Sequence, residues 1–278
     1  MTRIRLGAVG YLNARPHVFG LDREPRFALR LDIPSRCAAL LHRGDVDVGL
    51  IPSIEYLQGG YAIVPDVAVA SRGAVASVTL YTKRPMAEVR SIALDTSSRT
   101  SAALTRVLCA RQFRIQPVFE AHGPDLESML TRHDAALIIG DHALFAAAGD
   151  SIVGADPGGD RPSILETVDL GAAWTQMTGL PFVYAFWAGR PDALTPDDVQ
   201  TLQLARDRGV ERIEEICREY FPGDPSRQEV GVRYLRDNIR YHLGPEERAG
   251  LELFFRYAAE AHVVPATRPL QFYPGAPA

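Results

Sequence analysis

The chain has 278 residues, 46% of them hydrophobic and 23% charged, which is ordinary globular make-up and length enough for two modest lobes, not disorder. The net charge is −4 and the 30 Lys and Arg are scattered rather than gathered into a basic stripe. That argues against nucleic acid as a partner and leaves room for a small anion held by a few placed donors. No run approaches the roughly 18 uninterrupted apolar residues of a membrane span. The N-terminus also has no apolar core of signal-peptide length before Asn13 and Arg15 interrupt it, so a cytoplasmic protein with no membrane partner is expected.

Ile4 to Val9 reads as a short buried strand running into the polar loop Gly10–Pro16. Phe27 to Ile33 is predicted as a second strand, Pro34-Ser35 as the start of a helix through Leu41, and Val46 to Ile51 as a third strand ending at Pro52-Ser53. Alternating strands and helices imply a parallel sheet, whose ligands lie beyond the carboxyl ends of the strands. Ile63 to Ala70 and Ala76 to Tyr81 are predicted as further strands of the same lobe. Lys83-Arg84-Pro85 then breaks the pattern, and a new β-α unit begins at Ile92.

The inserted unit is expected to hold a helix over Arg99 to Gln112, a strand near Gln116 to Glu120, a helix from Pro124, and the strand Ala135 to Ile139 ending at Gly140-Asp141. Gly154 to Pro162 is turn-rich and expected to be a surface loop. The apolar run Leu180 to Trp187 suits a strand returning to the first lobe. Beyond it the pattern is helical, with capping sequences at Thr195-Pro196 and Ser226 to Glu229 and a break at Gly244-Pro245. The expected fold is therefore α/β with two lobes: residues 1 to 82 plus 185 to 278 around an insert from 83 to 184, joined by two hinge crossings. That is the plan of a type II periplasmic-binding-protein fold.

The densest polar signal is Asp95-Thr96-Ser97-Ser98-Arg99-Thr100-Ser101, five hydroxyls and a guanidinium in a turn between a strand and a helix. Free N–H groups of the first helical turn and the positive end of the helix dipole can hold a carboxylate there. The bland reading is plain N-capping with the remaining hydroxyls solvated. Asn13, Ser53, Ser77 and Asp141 fall near strand ends, each weak alone and stronger together as one cleft. The three cysteines, Cys37, Cys109 and Cys217, lie far apart in apolar stretches and read as buried thiols. The seven histidines show no metal-ligand spacing, and no Gly-x-Ser-x-Gly elbow, Walker loop or Gly-x-Gly-x-x-Gly turn is found. No metal or cofactor is expected.

Tyr11-Leu12-Asn13-Ala14-Arg15-Pro16 resembles the N-terminal signature of the menaquinone-biosynthesis family of the futalosine route. Further matches follow in order at Asp32–Ser35, Gly49–Tyr56, Val75–Val78, Leu94–Ser101, Ile139–Asp141 and Thr178–Ala185. The resemblance runs to about residue 188. The sister branch, which makes 1,4-dihydroxy-6-naphthoate, opens with a different Ser-, Pro- and Asn-containing loop and uses a histidine base, so Tyr11–Pro16 favours the chorismate-dehydrating branch. The implied activity is that of a hydro-lyase: cofactor-independent dehydration of chorismate to 3-[(1-carboxyvinyl)oxy]benzoate. Its partner would be that small dicarboxylate, with a homodimer left open.

On this resemblance Ser97, Arg99, Thr100 and Ser101, with Thr96 beside them, are expected to bind an anion. Asn13, Ser53 and Ser77 are expected to contact the hydroxyl or enolpyruvyl group. The base is either Asp141 or the substrate's own enolpyruvyl carboxylate, and the second is the preferred expectation. Asp95 is expected to brace the turn. A solute-binding or ligand-sensing protein for a small carboxylate is the alternative from a different class, because one fold serves both.

Overall fold

The computed structural model describes residues 3–146 and 164–274; the expected surface loop at 154–162 lies outside the described residues. The described strands are β1 (Ile4–Val9), β2 (Phe27–Asp32), β3 (Val48–Pro52), β4 (Ala62–Ile63), β5 (Val69–Ser71), β6 (Val78–Thr82), β7 (Ser91–Asp95), β8 (Val118–His122), β9 (Ala135–Ile139), β10 (Glu166–Asp169) and β11 (Phe182–Gly189). They form two sheets. The first runs β2-β1-β3-β11-β4 with β5 also on β11, and the second runs β10-β6-β9-β7-β8.

Both sheets follow one plan. Three strands pair in parallel, β1 with β2 and β3 in the first sheet and β7 with β8 and β9 in the second. One antiparallel strand beside them comes from a crossing of the chain: β11 on β3, and β6 on β9. The central strands are buried on both faces, as parallel strands covered by helices must be, and β3, β9 and β11 are buried along their whole length. The carboxyl ends of β1, β3, β7 and β9 meet between the sheets.

The described helices are α1 (Pro34–Arg43), α2 (Arg99–Leu108), α3 (Leu126–Arg132), α4 (Gly140–Ala146), α5 (Leu170–Thr178), α6 (Pro196–Glu211), α7 (Ile213–Tyr220), α8 (Pro225–Arg233) and α9 (Pro245–Glu260). Their starts are set by local chemistry. Ser98, Asp125 and Asp169 cap α2, α3 and α5, and Thr195 and Asp198 form a reciprocal capping box on α6. The box expected at Ser226 to Glu229 is not the cap of α8. Asp224 accepts from the N–H of Arg227, because Pro225 suits the first helical position, where no N–H is needed. Trp174 packs edge-on against Phe182 and Phe254, so it is a core residue.

Two expectations about the crossings are corrected. Residues Val78–Thr82, assigned to the first lobe with a crossing at 83, form β6 and pair with β9 and β10 in the second sheet. Alternation marks a strand but does not say which sheet completes its hydrogen bonds. The return crossing likewise ends by Phe182 rather than at 185, since β11 already pairs with β5 there. The single strand expected over Ile63 to Ala70 is two, β4 and β5, separated by Asp66 in the left-handed region at φ 58°.

The two crossing segments lie side by side. Asp169 accepts from the N–H groups of Val75 (3.0 Å) and Ala76 (2.7 Å) while capping α5 through Ala172 (2.9 Å). Gly73 N–H donates to Thr175 Oγ1 at 2.9 Å, and the Ser71 and Tyr184 hydroxyls are 3.0 Å apart.

The 3-10 turn Leu12–Val18 after β1 is held from outside by α6, at Gly209. A Cβ there would overlap the backbone carbonyl of Pro16. Backbone cannot move aside as a side-chain tip can, so Gly209→Ala is expected to cost about 1–3 kcal/mol as an overpacking change. Thermal unfolding should show a Tm several degrees below the parent; an unchanged Tm would mean that helix and turn can separate to admit a methyl group without cost.

Candidate active site

The space between the two sheets holds a small cavity that is open to solvent at its mouth. Its walls are largely apolar, from Val9, Pro34, Leu50, Val69, Val75 and Ile139 among others. Its polar groups are Tyr11, Asn13, Ser77, Ser98, Ser101 and Tyr184. No Asp, Glu, His, Lys or Arg lines it among the described residues. The cavity therefore offers hydrogen-bond donors and acceptors set in an apolar wall, without a titrating carboxylate or imidazole.

Of the residues named from sequence, Asn13, Ser77 and Ser101 line this cavity. Asn13 sits in the 3-10 turn that follows β1, and Ser77 lies one residue before β6. Ser101 is on the first turn of α2, where Ser98 accepts from its N–H at 3.3 Å and their hydroxyls are 3.0 Å apart. The N–H groups of Arg99 and Thr100 have no intrahelical acceptor, as at any helix start.

The other residues of that turn are occupied elsewhere, which corrects the expectation that all of them face an anion. Thr96 is exposed, and its hydroxyl donates to the carbonyl of His122. Ser97 donates both its N–H and its hydroxyl to Asp95, which braces the turn and accepts from Ile139 N–H as well. Thr100 Oγ1 accepts from Ile54 N–H at 3.1 Å and lies 3.4 Å from Ser53 Oγ, whose hydroxyl donates to the carbonyl of Val183 at 2.8 Å. Ser53 is thus buried behind the wall. The Arg99 guanidinium pairs with buried Glu55 at 2.6 Å, and Glu55 also meets His42 at 2.8 Å and Gln58 at 3.0 Å. Short side chains at a lobe boundary satisfy the neighbouring backbone first, and a buried carboxylate claims the nearest cation.

Asp141 does not line the cavity. It lies in the first turn of α4, where one carboxylate oxygen accepts from Leu12 N–H at 3.2 Å and the other from the Tyr220 hydroxyl, which also lies 3.1 Å from the carbonyl of Gly10. Burial pushes the Asp141 carboxyl above the usual range, against the lowering effect of those two hydrogen bonds. Just before it, Gly140 adopts φ 66°, and a Cβ there would press into the Tyr11 ring at 2.9 Å. A glycine is needed at that place for both reasons.

Four cavity or cavity-supporting residues went unread in the sequence. Tyr11 and Ser98 stand inside quoted motifs whose other members carry the stronger local signal. Tyr184 lies in an apolar run with nothing to separate it from packing aromatics. Tyr234, buried just past the end of α8, donates to Ser77 Oγ at 2.7 Å. The usable signal was general: a buried tyrosine hydroxyl needs a partner, and polar groups near strand ends are where partners gather.

A family model described as menaquinone biosynthesis matches residues 4–260. A chorismate dehydratase of Thermus thermophilus is 35% identical over 287 aligned positions, covering 94% of this chain and 99% of that protein. Among solved structures, a protein of Archaeoglobus fulgidus superposes with a TM-score of 0.67 at 16% identity, over 94% of this chain and 98% of its own. The alkanesulfonate-binding protein of Xanthomonas axonopodis pv. citri bound to MOPS superposes at 0.60 with 14% identity, over 95% and 93%. At such identities the structural likenesses show the fold, which is periplasmic-binding-protein-like with two α/β lobes.

Because the Asp141 carboxyl is raised in the folded state, the folded protein holds a proton there that the unfolded chain has released. The stability this group contributes is present at low pH and is lost as pH climbs from the ordinary carboxylate value toward the raised one. Asp141→Asn removes that titration. The Tm of the parent minus that of the variant should therefore fall as pH rises from about 4. A difference that grows in that direction would mean the carboxyl is depressed instead.

Proposed function

This chain belongs to the menaquinone-biosynthesis family, and from that premise we propose that it is a chorismate dehydratase, a hydro-lyase acting without a cofactor. The observation that carries the mechanism is the make-up of the cavity: hydrogen-bonding groups in an apolar wall and no titrating acid or imidazole among the described lining residues. In the reaction the C3–H bond of chorismate breaks and its electron pair forms the C3–C4 double bond. The C4–O bond breaks, and the hydroxyl departs with the abstracted proton as water. The ring becomes aromatic, so the driving force lies in the substrate, and the protein's task is to orient it, exclude water and stabilise developing charge.

The ring carboxylate is vinylogous to C3 and takes up charge as the proton leaves. We assign it to Ser98, Ser101 and the first-turn N–H groups of α2, whose dipole favours that charge. Asn13 and Ser77 are assigned to the departing hydroxyl. The proton passes first to the substrate's own enolpyruvyl carboxylate, which hands it to the departing hydroxyl, so that water leaves and the carboxylate is regenerated. With no cation among the described lining residues to stabilise it, that carboxylate is more basic than in water and better matched to the proton it must accept. Ser53 serves from behind the wall, where it meets Thr100 and the β11 carbonyl at Val183. A cytoplasmic location accompanies this reading.

Incubating the purified protein with chorismate and following the ring protons by NMR should show loss of water and appearance of a 3-substituted benzoate. Chorismate that binds and persists would make this a binding protein instead. Asn13→Asp replaces a neutral donor with a negative charge facing a dicarboxylate, and is expected to lower turnover about a hundredfold or more with the fold intact. Asp141→Asn should keep turnover within several-fold of the parent; near-complete loss with substrate still bound would make Asp141 the base.

A further inference from the structure

Tyr234 opens the π-turn Tyr234–Asn238 at the end of α8, far along the chain from the cavity loops, and the residue is 2% exposed. Its hydroxyl donates to Ser77 Oγ at 2.7 Å. Burial holds the phenol well above its usual range, so it stays protonated and remains a donor.

Ser77 is fixed at two further points. Its carbonyl accepts from Gly140 N–H at 2.8 Å, which extends the β6–β9 pairing by one bond. The residue before it, Ala76, adopts φ 63°, a left-handed conformation that an alanine rarely takes, and is kept there by its N–H donating to Asp169 at 2.7 Å. A serine hydroxyl has one proton and two lone pairs. With the Tyr234 proton occupying a lone pair, the Ser77 proton must point away from Tyr234, and Ser77 lines the cavity.

We propose that Tyr234 is a positioning residue that compels Ser77 to act as a hydrogen-bond donor toward the departing hydroxyl of the substrate. This rests on the reading of the cavity as the dehydration site. Tyr234 does not touch the substrate: it sets the rotamer and the proton direction of Ser77, while Asp169 and Gly140 set the Ser77 backbone. A serine free to choose its partner would spend part of its time accepting rather than donating, and the departing oxygen would lose its donor for that fraction.

The test is a double-mutant cycle on chorismate turnover with crystal structures of the variants. Tyr234→Phe keeps the ring and its packing, and should lower kcat about tenfold with KM little changed, since the lost interaction matters as the C–O bond breaks. In the Ser77→Ala background the same change should cost nothing further, because there is no hydroxyl left to position. A purely structural tyrosine would give the same loss in both backgrounds. In the Tyr234→Phe crystal structure, Ser77 Oγ should rotate away from its parental position to a new partner. Equal losses in both backgrounds, or a Ser77 Oγ that stays in place, would overturn the proposal. A parental protein inert toward chorismate would defeat the functional reading alone, and the Ser77 rotamer would still decide the role of Tyr234.

Discussion

The structure depends first on one contact between the lobes, where the first turn of α2 meets the segment following β3. Glu55 is buried at its centre and must be paired, because an isolated carboxylate in a protein interior is prohibitively costly. Arg99 from the opposite lobe, with His42 and Gln58, meets that demand. Beside the ion pair, Thr100 accepts from Ile54 N–H, and Ser35 N–H donates to the carbonyl of Ser97 at 2.9 Å. These bonds hold the start of α2 over the carboxyl ends of β1 and β3. A second fastening, Asp141 with Leu12 and Tyr220, closes another side. The cavity is what remains between them.

Charge and hydroxyls are thereby separated by task. The charged residues near the cavity are spent on joining the lobes, and the described groups left facing inward are neutral. A neutral cavity suits an elimination in which the substrate brings its own carboxylates. Donors at the ring carboxylate and at the leaving hydroxyl stabilise charge where it develops, whereas a cation beside the enolpyruvyl carboxylate would weaken it as a base. The same fold in a binding protein needs only ground-state complementarity, so the difference lies in which groups face inward and how firmly they are held.

Much of this is legible in the chain. The strand ends at Val9, Pro52, Asp95 and Ile139 follow from apolar runs that stop at Gly, Pro or hydroxyl residues, and the loops after them carry the cavity. Asn13 and Ser101 are reached in that way. Thr96, Ser97, Arg99 and Thr100 share their loop with Ser98 and Ser101, yet face other partners, because the direction of a side chain at a helix start depends on what packs above it. Asp95 can be recognised as a brace, while Arg99, the cation on Glu55, lies 44 residues from it and Tyr220 lies 79 from Asp141, which leaves no local trace. Tyr220 and Tyr234 are hidden for the same reason: helical periodicity gives a buried face, but not the hydroxyl at its far end. The placement of β6 in the second sheet is likewise a matter of long-range pairing.

The central claim is that the substrate, and not a side chain, takes the proton. The pH dependence of kcat for chorismate tests it most directly. Carboxylates of the substrate are ionised above about pH 5, and the cavity tyrosines stay protonated to beyond about pH 9. The profile of kcat should therefore be level between those limits. A rising limb near neutrality that belongs to the enzyme–substrate complex would show a titrating protein base, and would contradict the account.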